Sequence, residues 1–258
     1  MSKIRSRTTL KSVVGAVCAM LTYHIMAMGA HYLPDGALGA ALGAVIRLAS
    51  AALVVFAYAA WYRRSGESAL PPPRELSSGE VTPPPRELAS GDKTSIVAFA
   101  ALCGVFLQFA AVAAVALITH SESFGVREAP GDPVSAIRFF GAVAVTPLCE
   151  EVVFRGVAFR LLDRVLPTAL AALVSAVAFG LIHGDAVTAA VACCVGFLLA
   201  ILVHRRGSLV PAIALHAAFN LTSYFTGYVP ISPAAALAVC APLGAAGIIA
   251  LLKGKRTR

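Results

Sequence analysis

The sequence predicts an all-α protein, a polytopic bundle of about eight transmembrane helices, and three observations carry that prediction. Of the 258 residues, 59% are apolar and only 13% are charged, against roughly half and a quarter in an ordinary soluble domain. The apolar residues fall in runs suited to crossing about 30 Å of hydrocarbon, which takes roughly 20 helical residues. Lysine and arginine collect in alternate connections between those runs, as topology signals do.

The runs are 12–30, 38–62, 94–119, 135–158, 167–183, 186–203, 208–226 and 232–252. Single apolar segments satisfy their backbone in lipid only as helices. The first run follows the basic segment Met1 to Lys11. It exceeds the 7 to 15 residues typical of a signal-peptide core, and no A-x-A site follows before His31, so it reads as a retained helix. The fifth and sixth runs nearly touch, which makes His183-Gly184-Asp185 a tight turn.

One set of connections holds the basic residues from Lys3 to Lys11, Arg63 to Lys93, Arg160 and Arg164, Arg205 and Arg206, and Lys253 to Arg258. The opposite set holds only Arg127. The positive-inside rule then puts both termini in the cytoplasm of a multi-pass protein. The net charge of +8 is dispersed in these short clusters and forms no basic face, so nucleic acid is not an expected partner; the lipid bilayer is.

The chain divides into a two-helix membrane segment at 1–64, a linker at 65–93 and a six-helix membrane domain at 94–258. The linker repeats itself: Pro71 to Glu80 reads PPPRELSSGE, and Pro83 to Asp92 reads PPPRELASGD. Triple prolines favour extended polyproline II and Ser/Gly spacers give flexibility, so it reads as a spacer lengthened by duplication. The six cysteines lie in apolar stretches with no C-x-x-C pair and read as small buried hydrophobes.

Ionisable groups inside a bilayer are costly, and each needs an account. The fourth run contains Glu150-Glu151-Val-Val-Phe-Arg155. Glu151 and Arg155 are four apart, one turn along one face, and can pair. Glu150 is rotated by about 100 degrees and is left to face a cavity, where a poorly solvated carboxyl suits general base or acid work. The fifth run ends Phe179-Gly-Leu-Ile-His183, and the seventh contains His216-Ala-Ala-Phe-Asn220. His216 and Asn220 share a face and can both donate to an oxyanion. His183 can orient or relay a proton of a water held by Glu150. Base, water-orienting histidine and oxyanion donors together make the inventory for hydrolysing an amide. Of the remaining polar groups, Arg47 and Arg138 can snorkel or pair within the bundle, and His204 lies near a helix end where the interface solvates it.

The ordered set Glu150-Glu151-x-x-x-Arg155, Phe179-x-x-x-His183 and His216-x-x-x-Asn220 resembles the three motifs of the CAAX-protease and bacteriocin-processing (CPBP, or Abi) family, which includes the Ras-converting CAAX endoprotease. The resemblance covers roughly 135–226. It implies an eight-helix bundle whose 94–258 region is catalytic, and an intramembrane endopeptidase acting on a membrane-associated protein or peptide, prenylated or C-terminally sorted. It implies that Glu150 activates water shared with His183, that His216 and Asn220 stabilise the oxyanion, and that Glu151, Arg155 and Phe179 support them. It points to a bacterial cytoplasmic membrane. Two histidines and a glutamate can bind zinc, yet H-E-x-x-H is absent, and a metal-free glutamate protease is the favoured expectation. The alternative is a non-catalytic bacteriocin-immunity or scaffold protein of the same fold, which would tolerate loss of Glu150. A proton-coupled transporter would show an internal repeat, and none is evident. Straight parallel helices would hold Glu150 in the cytoplasmic half and His183 toward the opposite surface, with Pro147 and Pro167 as the places to kink or shift them.

Overall fold

The computed structural model describes residues 2–29, 32–65, 90–120 and 131–253. Among these residues the chain forms eight helices and no strands. They are α1 (Ser2–Gly29), α2 (Ala37–Ser65), α3 (Ser90–Thr119), α4 (133–162), α5 (Thr168–Leu181), α6 (Ala186–Arg206), α7 (Val210–Thr222) and α8 (Pro233–Lys253). The order and number match the eight apolar runs. The linker repeat lies outside the described residues except at its end, where Ser90 to Asp92 open α3, ahead of the run at 94.

Five helices are long and apolar enough to cross a membrane: α1, α2, α3, α6 and α8. Leucine, valine and isoleucine side chains such as Leu21, Ile25, Val45 and Leu53 stand exposed on α1 and α2, as lipid-facing surfaces require. The cysteines divide: Cys103, Cys149 and Cys240 are buried, whereas Cys18 and Cys194 are exposed. The two short apolar helices are different. α5 has 14 residues and α7 has 13, rising roughly 21 and 20 Å at 1.5 Å per residue, well short of about 30 Å. Pro167 caps the start of α5, and α7 opens with proline in its first turn; a missing N–H is tolerated there.

α4 is the axis of the molecule. It is α-helical over Pro133–Phe140, π over Gly141–Val145, α over Thr146–Glu150, π over Glu151–Phe159, and α again over Arg160–Leu162. Asp132 caps its start, with one carboxylate oxygen accepting from the Val134 and Ser135 N–H groups. α1 and α2 pair; α1 leans on the second half of α4 and α2 runs along its length, and together they bury Ala16, Ala19, Tyr23, Val54 and Tyr58 with Val153, Phe154 and Phe159. α7 packs on the first π segment and the short α-helical piece, and α5 on the second π segment. α5 and α6 form an antiparallel hairpin, and α3 runs between α7 and α8, where Cys103, Leu199, Leu215 and Ile248 form a second core.

Candidate active site

The two π segments lie on either side of Thr146–Glu150, with Glu151 opening the second, and π turns inside helices concentrate at functional sites because they re-aim side chains. In the first, the Thr146 N–H bonds the Gly141 carbonyl, five residues back. Continued by one residue, that register would have residue 147 donate to the carbonyl of Ala142. Pro147 has no N–H to give. The Asn220 side chain fills the gap, Nδ2 donating to the Ala142 carbonyl at 3.0 Å. A proline in one helix is thus answered by an asparagine in another, and the bond ties α7 to α4 about two turns before the two glutamates.

The adjacent glutamates separate as their spacing predicts. Glu151 is fully buried, and its Oε1 accepts from Arg155 Nη1 at 2.9 Å. The same oxygen lies 2.9 Å from His216 Nδ1, across 65 residues of chain. Arg155 is also fully buried, stacked with its guanidinium carbon 4.2 Å from the centre of the Phe179 ring. Its Nε and Nη2, and Glu151 Oε2, have no hydrogen-bond partner. The guanidinium fits because residue 196 on α6 is glycine: a Cβ there would stand 2.7 Å from Arg155 Nη2 and 3.0 Å from the Phe179 ring.

Glu150 faces the other way, on the wall of a cavity of about 950 Å³ that also takes in His183, His216 and Asn220. Its Oε2 is 3.8 Å from His216 Nε2. Since the carboxylate oxygen of Glu151 accepts from His216, Nδ1 is the protonated ring nitrogen and Nε2 is the one presented toward Glu150. His183 is fixed in the same way, with Nδ1 donating to the Phe179 carbonyl at 2.7 Å and Nε2 left over. Phe179 joins the parts: its ring meets His183 at 4.6 Å, His216 at 5.7 Å and Phe154 at 5.2 Å, all edge-on.

The predicted separation of Glu150 and His183 does not occur. α5 stops at Leu181, and the half-buried His183 just beyond it folds its ring back to the Phe179 carbonyl and lines the same cavity as Glu150. The turn is tight, as the sequence predicts: Gly184 takes a left-handed φ of 81°, and Asp185 caps α6 by accepting from Val187 and Thr188. Hydrogen bonds from the Thr188 hydroxyl and from the Thr188 and Val187 N–H groups hold the Asp185 carboxyl below the usual carboxylate range. His204 also differs from its expected solvated place. It is largely buried and pairs with Asp163 at 3.0 Å.

All seven sequence-derived residues therefore meet around one cavity or in the ion network behind it. The Ala142 carbonyl with Pro147, Gly196 and the cavity-lining Arg47 and Gln108 complete the site. Among the described residues, no three His, Cys, Asp or Glu side chains gather as a metal-ion site. His216 Nδ1 is held by Glu151 and His183 Nδ1 by a carbonyl, which leaves both Nε2 atoms for the cavity chemistry.

Residues 132–222 match the family model for type II CAAX prenyl endopeptidase Rce1-like proteins. The match begins at the cap of α4 and ends with α7, and it contains every residue of the three motifs. Comparison with curated proteins and with solved structures gives no match.

Proposed function

We propose, on the premise that residues 132–222 are a domain of the Rce1-like family of type II CAAX prenyl endopeptidases, that this integral multi-pass membrane protein is an intramembrane endopeptidase of the glutamate type. The observation that carries the mechanism is the divided pair: Glu151 is consumed by Arg155 and His216, while Glu150 stands on the cavity wall 3.8 Å from His216 Nε2.

In this reading a water sits between the Glu150 carboxylate and the Nε2 lone pair of His183. Glu150 takes one proton as the water oxygen attacks the scissile carbonyl, and His183 accepts a hydrogen bond from the other. The developing oxyanion is met by the remaining N–H of Asn220 Nδ2. It is also met by His216 Nε2–H when the ring carries both protons. Collapse of the tetrahedral intermediate breaks the C–N bond, and Glu150 returns its proton to the leaving amine. Phe179 and Arg155 hold the two rings and the Glu151 carboxylate in register. No step is routed through a metal. The substrate is a membrane-associated protein or peptide, and both termini face the cytoplasm, in keeping with the basic connections, in a bacterial cytoplasmic membrane.

The test is cleavage of membrane-tethered peptides by the purified protein, with Glu150→Gln alongside and with chelator present. Glu150→Gln lowers turnover by about 10²–10⁴, the range for removing a general base, and chelator leaves wild-type turnover unchanged. Loss to chelator with recovery on added zinc would replace this mechanism by a metal-dependent one. Full biological function of Glu150→Gln in the host would favour the immunity or scaffold role instead.

A further inference from the structure

The end of the bundle where the basic residues collect holds a cluster that the cavity chemistry does not use. Arg160 opens the last turn of α4, and Arg164 follows in the turn beyond it. Both are half-buried, and both lie within electrostatic reach of the Tyr58 hydroxyl, which comes from α2. Among the described residues Tyr58 is the one such partner of Arg160, which makes no ion pair. The acid beside the two arginines is engaged elsewhere, since Asp163 pairs with His204 of α6 at 3.0 Å.

Trp61, the one tryptophan of the chain, ends the apolar span of α2, one turn beyond Tyr58. It is packed where three helices meet: a Cβ at Gly15 of α1 would stand 2.6 Å from its ring and 3.2 Å from Leu161 of α4. Lys11 is exposed one turn before Gly15, on the same face of α1. A half-buried tryptophan at the end of a spanning helix belongs at the headgroup level, and its neighbours Lys11, Arg160 and Arg164 then stand at that level too. Deeper along the same helices, Val14 and Val17 of α1 and Leu53 and Phe56 of α2 present exposed apolar surface.

A phospholipid suits this arrangement from both ends. Its phosphodiester carries one negative charge on two free oxygens, which a guanidinium can grip with parallel bonds. Its acyl chains have the apolar surface beneath. Basic pockets between helices at a membrane surface take anionic headgroups on these grounds. A free anion would use the arginines and leave Trp61 and the apolar surface without a part.

We infer that Arg160 and Arg164, with Tyr58 and Lys11 beside them, bind the phosphodiester headgroup of an anionic phospholipid between the ends of α1, α2 and α4. The site stands apart from the cavity at Glu150 and does not rest on the endopeptidase reading.

Trp61 reports on this site without a label. The full chain is reconstituted in vesicles of phosphatidylglycerol and phosphatidylcholine in equal parts, with bromine on the acyl chains of one lipid and then of the other. Bromine quenches a tryptophan that it touches, so the two degrees of quenching give the lipid preference beside Trp61. The wild type favours phosphatidylglycerol by at least about fivefold, the worth of one basic residue at an anionic headgroup. The preference disappears in the double variant Arg160→Gln with Arg164→Gln. It persists in Arg205→Gln, which removes an exposed cation of α6 at the same end of the bundle. Equal quenching by the two lipids in the wild type overturns the inference and needs no variant. So does a preference that survives the double variant. Loss of the preference in Arg205→Gln as well would make net charge responsible and would also sink the site. Recovery of fluorescence on adding equimolar inorganic phosphate would mean a site for free anions and overturns the lipid reading.

Discussion

Glu150 and Glu151 are consecutive residues with opposite surroundings. Glu151 looks inward, with no exposed surface, one oxygen shared between Arg155 and His216, and an aromatic ring stacked on its arginine partner. Glu150 looks into a cavity, and its nearest basic atom is His216 Nε2 at 3.8 Å. His216 belongs to both regions, Nδ1 to the buried network and Nε2 to the cavity. A buried ion network of this kind gives little stability over a well-packed apolar core, yet breaking it by removing one partner is costly. Its value here is orientation: it fixes which nitrogen of His216 reaches the cavity.

The comparison predicts which glutamate the fold depends on. Glu151→Ala strands the Arg155 guanidinium in the core, and stability falls by about 3–5 kcal/mol, the cost of halving a buried pair, as read by denaturant unfolding in detergent. Glu150→Gln keeps wild-type stability. Replacing both partners, Glu151→Leu with Arg155→Met, recovers most of the stability while cleavage stays lost, because His216 has no tether. If Glu150→Gln destabilises as much as Glu151→Ala, the division between fold and chemistry is wrong.

A smaller effect sharpens the same boundary from the far side. Gly196→Ala would put a methyl 2.7 Å from Arg155 Nη2 and 3.0 Å from the Phe179 ring. The guanidinium is enclosed and cannot swing away, so we expect about 1–3 kcal/mol of overpacking cost. The displaced Arg155 drags Glu151 and His216 with it, and turnover falls by up to about a hundredfold, as a misplacement of about 1 Å can cause. A variant with wild-type turnover would show that the network positions nothing in the cavity.

Much of this was legible in the chain because it is local. The Glu151–Arg155 pair follows from i,i+4 spacing on one helix, the His183 to Asp185 turn from two nearly touching runs, and the eight helices from run length. What stayed hidden is not local. His216 meets Glu151 across 65 residues, and no pattern in either helix names the other as partner. Hydrophobic periodicity does not register an i to i+5 turn, so the π segments around Glu150 were invisible, and so was the reason for Asn220 to face Ala142. Gly196 reads as one small residue among many until Arg155 is seen against it. α5 and α7 were overestimated because apolar runs continue through their flanking turns, which is why the expected gap between Glu150 and His183 closes in three dimensions. His204 looked interfacial by its place near a helix end, and only the fold supplies Asp163.

Asn220 is where the two regions can be separated most finely, since it ties α7 to α4 and also lines the cavity. Asn220→Ala leaves the Ala142 carbonyl without its donor, and stability falls by about 1 kcal/mol. Pro147→Ala supplies a backbone N–H in the register that Thr146 already follows, so in the double variant this carbonyl regains a partner and the stability loss largely disappears. A double-mutant cycle measures that coupling directly. Turnover behaves otherwise: loss of an oxyanion donor costs about 10²–10³, and the proline substitution cannot restore an amide in the cavity. Recovery of stability without recovery of turnover assigns Asn220 to the chemistry of the cavity as well as to the joint between helices. Recovery of both would mean that it acts on Glu150 only through the shape of α4.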